Sequence, residues 1–226
     1  MIQRSRRAAA ALVLLVPLGV AGCGRASEKK SAVLRASSSA AGASPGPSNA
    51  VAEPPPRSVS YAFSSASGES AISFQATGAA GPRSGSFATF SGTITVPNGA
   101  LQQASVTVDI DLASLRTEDP KLTAELSSSR FLDVARYPHA HFSSTSVESG
   151  GALGATNTVK GSLELHGITR SIEIPGTLHV RLNGVDVDAE FPVKRHDFGL
   201  RFAGKRDASI SDEIIVSLTV VAYPVS

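Results

Sequence analysis

The stretch VKGSLELHGITRSIEI, Val159 to Ile174, changes phase in its middle. Before His166-Gly167 the apolar side chains fall at odd positions, Val159, Leu163 and Leu165, with Gly161 between them. After it they fall at even positions, Ile172, Ile174, Leu178 and Val180. Successive side chains of a strand point to opposite faces, so each half reads as a strand with one apolar face. In a hairpin, facing residues have a constant sum of residue numbers, and a phase change is what an odd sum requires. Pairing Leu165 with Ile172 places Leu163 opposite Ile174, Gly161 opposite Gly176 and Val159 opposite Leu178, around a loop at Gly167 to Arg170. His166 then lies opposite Ser171 at the strand end, on the polar face. Geometry accounts for it without catalysis.

The same period of two runs from Ser58 to Tyr223. Ile72 and Phe74 alternate with Ser73 and Gln75. Phe90, Ile94 and Val96 alternate with Ser91, Thr93 and Thr95, and Val106, Val108 and Ile110 with Thr107, Asp109 and Asp111. Val185, Val187, Ala189 and Phe191 face away from Asp186, Asp188 and Glu190, and Ile214 to Val220 supply a last strand. Asn183-Gly184 predicts a two-residue turn, with Leu182 opposite Val185, Val180 opposite Val187, Leu178 opposite Ala189 and Gly176 opposite Phe191. A tight turn at Asn98-Gly99 would put Val106 on the wrong face, so that corner needs a bulge or a longer loop. One helix is expected after Asp119, a capping residue, with Pro120 in its first turn and Leu122, Leu126 and Phe131 as an apolar stripe. Antiparallel strands with one apolar face each can close as a barrel or pack as a sandwich, and periodicity alone favours neither.

Upstream of the strands the composition changes twice. Arg4, Arg6 and Arg7 precede an apolar run, Ala8 to Val20, too short to span a bilayer comfortably. Small residues then lead to Cys23, the one cysteine of the 226 residues. Residues 1–22 read as a secretory signal, and Val20-Ala21-Gly22-Cys23 resembles a lipobox, in which Cys23 is diacylated and becomes the mature N-terminus. Residues 23–57, rich in Ser, Ala, Pro and Gly, lack the large apolar residues a core needs and read as a flexible tether. Residues 58–226 form the folded domain. Gly24 after the cysteine resembles an outer-membrane sorting context facing the periplasm in a Gram-negative host. Elsewhere the plasma membrane or cell surface takes its place. Removing the signal takes three of 21 basic residues and leaves 18 against 19 acidic ones, a balance that gives no nucleic-acid footprint. A chain tethered through its single cysteine has no internal disulfide, so the fold rests on its core.

Several motifs in the folded part, in this order and spacing, resemble the YceI family of lipocalin-like, polyisoprenoid-binding bacterial proteins. They are Phe87-Ala88-Thr89-Phe90-Ser91-Gly92, Asp111-Leu112-Ala113-Ser114-Leu115-Arg116-Thr117, Phe131-Leu132-Asp133-Val134-Ala135-Arg136-Tyr137-Pro138, Val159 to Arg170, and Arg195-His196-Asp197-Phe198-Gly199. The resemblance covers roughly Ser58 to Ala222. It implies an all-β, eight-stranded antiparallel barrel with a short helical excursion, and an apolar interior holding a long isoprenoid chain. The interior residues it implies are Phe74, Phe90, Ile94, Val106, Val108, Ile110 and Phe131, then Phe142, Leu163, Leu165, Ile172, Ile174 and Phe198. Where family members often carry Lys-His after the aromatic matching Phe74, this chain has Thr77-Gly78, and no head-group contact is carried over. Gly92, Gly161, Gly176, Ala76 and Ala189 fall at inward positions, and the chain has no Trp, which leaves room inside.

Candidate chemistry is sparse. His139 and His141 share a strand face, but Phe142 takes the inward side and leaves them as a surface pair without a third metal ligand. Asp109 with Asp111, and Asp186 with Asp188 and Glu190, read as solvated outer faces. His179 and His196 read as isolated. No Gly-x-Ser-x-Gly element and no phosphate-binding glycine loop appears. No metal, cofactor or enzymatic activity is therefore expected. The expected function is binding, storage or transport of a long apolar lipid in the barrel of a membrane-anchored envelope protein. The alternative is an envelope interaction module with a filled barrel.

Overall fold

The structure, a computed structural model, describes residues 57–79, 81–181 and 183–225, and for residues 153, 205 and 206 the backbone alone. The readings of residues 1–56 as signal, lipidated Cys23 and tether lie outside the described residues. Eleven strands appear among the described residues: β1 (Ser58–Ser64), β2 (Ala71–Gly78), β3 (Gly81–Phe87), β4 (Phe90–Pro97), β5 (Ser105–Asp111), β6 (Leu115–Thr117), β7 (His139–Ser149), β8 (Asn157–Leu165), β9 (Ile168–Arg181), β10 (Gly184–Lys194) and β11 (Ile210–Val225). Eight of them close in the order β1-β4-β5-β7-β8-β9-β10-β11 and back to β1, antiparallel throughout. The expected barrel is present.

β11, 16 residues long, makes both the closure and a branch. Its last residues meet β1, Val225 opposite Ser60, while Ile214 to Thr219 meet Ala76 to Ala71 of β2. β2, β3 and β6 therefore leave the barrel as a three-stranded flap. Helix α1 (Pro120–Ser127) follows β6 and forms as its sequence predicts: the Asp119 carboxylate accepts the Lys121 N–H at 2.8 Å, Pro120 stands in the first turn, and Leu126 is buried.

Two registers differ from the sequence expectation. Leu165 pairs with Ile168, so Leu163 faces Arg170, Gly161 faces Ile172 and Val159 faces Ile174. The loop is only His166-Gly167, with φ of 54° and 71°, the positive values of the tightest hairpin turn. Histidine tolerates this region better than most residues. Its ring lies 4.7 Å from that of Tyr137, and its Nδ1 is 3.2 Å from the Phe198 carbonyl. His166 is therefore a turn residue rather than a partner of Ser171. In the next hairpin Gly184 pairs with Arg181, Val185 with Val180, Val187 with Leu178 and Ala189 with Gly176, a register two residues from the expected one, with Gly184 inside the ladder. Gly184 is needed inside the ladder, because a Cβ there would stand 2.4 Å from the Ala222 carbonyl oxygen. The shifts are by four and by two, so every side chain keeps its expected face. The Asn98-Gly99 corner is the longer loop anticipated: a helical turn at Leu101–Gln103 follows it, and Ile94 meets Val106.

The interior divides into two packed groups. One group, around β1 and β4, contains Phe63, Ile72, Phe90, Ile94, Val96, Val185, Val220 and Ala222. At the helix end lie Leu115, Leu126, Phe131, Leu132, Ala189, Phe191, Val193, Phe198 and Leu200.

Candidate ligand cavity

The inward glycines do not open the barrel. Phe63 pairs with Gly92 across β1 and β4, and its ring occupies the place a side chain would take, 2.3 Å from an added Cβ. Phe142 covers Gly161 and Phe74 covers Gly85 in the same way, each at 2.5 Å. This is aromatic filling over a strand glycine. The room inferred from Gly92 and Gly161 is taken by phenylalanine.

The free space lies at the helix end. A cavity of about 460 Å³ runs between the flap, α1 and the strands β10 and β11. Phe74, Phe87, Phe131, Leu132, Leu165, Val193 and Val216 are among its apolar walls, and Ala76 and Gly78 keep the flap side low. Phe131 stacks on Phe202, ring centres 4.4 Å apart, to make another wall. The exposed residues Arg83, Ser84, Asp119 and Lys121 border it on the solvent side. Such a site can shelter an apolar chain and leave a polar end in water.

One wall is held by a buried cation. Arg195 lines the cavity, yet its side chain is only 1% exposed. Its Nε donates to the Ser211 carbonyl, one terminal nitrogen donates to Leu200 O and the Asp207 carboxylate, and the other to Asp207 O and Ile210 O. Spreading the five donors in this way is what burial of a guanidinium demands. Asp207 also accepts the Phe202 N–H at 2.8 Å and meets His196 Nε2 at 2.9 Å. The hydrogen bond from Arg195, then that from Phe202, lowers its carboxyl from 3.8 to about 2. Asp212 meets the other ring nitrogen of His196 at 3.2 Å and accepts its backbone N–H. His196, expected to be isolated, thus joins two carboxylates and ties the segment after β10 to the start of β11. The sequence signal was the Arg195-His196 pair at a strand end. Its partners 11 and 16 residues on are brought near only by the turn Gly204–Ser209.

The YceI-like domain family matches residues 61–222. The chain belongs to the YceI family. Among its relatives, a UPF0312 protein of Pseudomonas putida W619 is 31% identical over 142 residues, 58% of this chain and 71% of that one. A UPF0312 protein of Pseudomonas savastanoi is 38% identical over 95 residues, 42% of this chain and 48% of its own length. In fold, the chain is similar to Burkholderia cenocepacia BcnA, with a TM-score of 0.62 at 24% identity, covering 68% of this chain and 96% of that one. A polyisoprenoid binding domain from Saccharophagus degradans, implicated in plant cell wall breakdown, aligns with a TM-score of 0.54 at 17% identity, over 73% and 98% of the two chains.

Within this YceI barrel the expected interior residues separate by position. Phe74, Phe131 and Leu165 line the cavity. Leu163, Ile172, Ile174 and Phe198 pack in the group beside it, and Phe142 is buried over Gly161. Phe90, Ile94, Val106, Val108 and Ile110 belong to the packed group around β1 and β4. Cavity residues absent from the expected set include Phe87 of the flap, Leu132 after α1, Val193 of β10, and Leu200, Phe202 and Val216 of the late chain. His139 and His141 are exposed on the outer face, 2.9 Å and 3.9 Å from the Asp109 carboxylate. Among the described residues no group of three or more His, Cys, Asp or Glu is placed to hold a metal ion. Asp186 pairs with Arg181 and Asp188 accepts from Thr219, both on outer faces.

Proposed function

We propose that this protein binds and carries an apolar, isoprenoid-like lipid in the cavity under α1, as a lipoprotein anchored through Cys23 in the bacterial envelope. The observation that carries the reading is the 460 Å³ cavity, walled mostly by phenylalanine and aliphatic side chains, with Arg195 neutralised in one wall by its own partners and Arg83, Ser84, Asp119 and Lys121 at the exposed side. Each methylene buried there contributes about 0.8 kcal/mol, so affinity needs no charged contact. The polyisoprenoid binding domain of similar fold supports the ligand class. Diacylation at Cys23 would supply the two chains that stable anchoring takes, and in a Gram-negative host the barrel would work in the periplasm.

The packed half of the barrel favours a second reading, an envelope interaction module whose interior takes no ligand. Organic extraction of protein purified from a membrane-containing host separates the two. The carrier yields a long-chain lipid in near-equal molar amount. Repeated extracts free of lipid support the module instead.

A further inference from the structure

Among the described residues the exposed large hydrophobics are Val59, Val180, Tyr223 and Val225, between 43% and 56% exposed. Scattered singly, such residues carry no message. Here all four stand at one rim of the barrel. Val59 is the second residue of β1, Val180 the last but one of β9, and Tyr223 and Val225 lie in the last three residues of β11. The registers bring these strand ends together. Val225 faces Ser60 and Tyr223 faces Ala62 across β11 and β1, while Val185 pairs with Val180 on one side and Ala222 on the other. The Tyr223 hydroxyl donates to Glu69 at 2.7 Å, which leaves an apolar ring with a polar tip, a form suited to a lipid–water boundary. Exposed Arg57 and Arg181 flank the patch, Arg181 paired with Asp186.

The polypeptide enters the fold at this same rim. The Arg57 N–H donates to the Asn98 side-chain oxygen at 3.0 Å, and the Asn98 N–H to the Arg57 carbonyl at 2.8 Å, so the entry is clamped two residues from Val59. The cavity under α1 lies at the other end. Leu165, Val193 and Ile210, among its walls, stand where β8 and β10 finish and β11 begins.

Resting on the Cys23 anchor proposed above, we propose that this rim docks on the phospholipid surface holding the acyl chains, with the cavity turned to the aqueous side. Residues 23–56, 34 residues read as a flexible tether, give an r.m.s. reach of about 30 Å. Tethering makes the rim's contact with lipid intramolecular, at an effective concentration on the order of millimolar. A patch of four side chains, too small to hold a free protein on a membrane, is populated under that condition. The valines and the tyrosine ring enter the boundary between head groups and acyl chains, and the arginines reach lipid phosphate. A tether alone would let the barrel tumble and present its cavity in every direction. The docked rim fixes the posture, so an apolar ligand is exchanged from the aqueous side rather than drawn directly from the anchoring bilayer.

The chain has no tryptophan, so a single introduced indole reports its own surroundings. The full-length mature protein, carrying its acyl chains, is inserted into phosphatidylethanolamine–phosphatidylglycerol vesicles with and without bromine on the lipid chains. Val180→Trp should lose about half its emission or more to brominated lipid, and Lys194→Trp, at the far end of β10, about a tenth or less. Adding Val225→Asp to Val180→Trp should reduce the quenching at least twofold. Should Val180→Trp fail to fold, Val225→Trp is read in its place, with Val59→Asp as the added change. Equal quenching at the two ends, whether strong or absent, overturns the docked posture and leaves the anchor standing. So does an indole at position 180 that neither bromine nor aqueous iodide reaches, which would put the tether itself over the rim. A mature protein whose mass lacks the acyl chains removes the anchor and the proposal together.

Discussion

In the packed group around β1 and β4, small inward residues and large ones are matched: the Phe63 ring fills the space over Gly92, and Val185 and Ala222 are almost wholly buried. At the helix end the same alternating strands leave about 460 Å³ open, because the flap diverts β2 away from β1 and α1 spans the gap from outside. Small residues have opposite consequences in the two places. Gly92 receives a neighbour's ring; Ala76 borders empty space. A glycine or alanine at an inward position therefore says nothing about a cavity until the strand facing it is known. The open end also needs its own framework, which Arg195 and its carbonyl partners provide.

The largest effect should come from that framework. Arg195→Leu leaves the Asp207 carboxylate and four backbone carbonyls without their donor and should destabilise the fold by about 3–5 kcal/mol in urea unfolding. If the variant melts like wild type, Arg195 does not hold the open end.

A paired substitution addresses the comparison itself. Gly92→Val drives carbon atoms into the Phe63 ring and the Thr107 carbonyl and should cost roughly 1–3 kcal/mol or more. Ala76→Val adds comparable volume beside the cavity and should change stability by no more than about 0.5 kcal/mol. Equal losses would mean that the two ends are packed alike.

Asp207 gives the open end a signature in acid. Its carboxyl lies at about 2, below the ordinary 3.8, so its contribution to stability is fully present above pH 3.8 and is lost as pH falls through about 2. Melting temperature should fall across that window in wild type, and less steeply in Asp207→Asn. Parallel curves would contradict the assignment.

The smallest effect belongs to the outer face. His139 and His141 are both about half exposed beside Asp109, and replacing them together by Gln should shift stability by at most about 0.5 kcal/mol. A larger loss on urea unfolding would show that the pair stabilises the barrel wall.

Much of the fold was legible because alternation decides the face of a side chain. Phe142 and Leu163 are inside, and His139, His141 and Asp188 outside, as the pattern required. Alternation does not fix register, since a shift by two or four residues leaves every face unchanged. The register came from turn chemistry, in which His166 and Gly167 both adopt positive φ and Gly184 is held in the ladder by its approach to β11. The site was less legible. Phe74, Phe131 and Leu165 were identified, but Phe87 and Val216 meet them only through the branching of β11 between two partners. Likewise, His196 meets Asp207 and Asp212 only because the chain turns back after Gly204.

Lipid occupancy in Ala76→Leu, read by native mass spectrometry beside wild type, tests the central claim most directly. Wild type should carry one lipid per chain. Ala76→Leu should carry little while melting at nearly the same temperature, because the added side chain occupies the ligand's place rather than a packed core. A wild type without lipid, or an Ala76→Leu protein that keeps its full complement, would contradict a ligand site under α1.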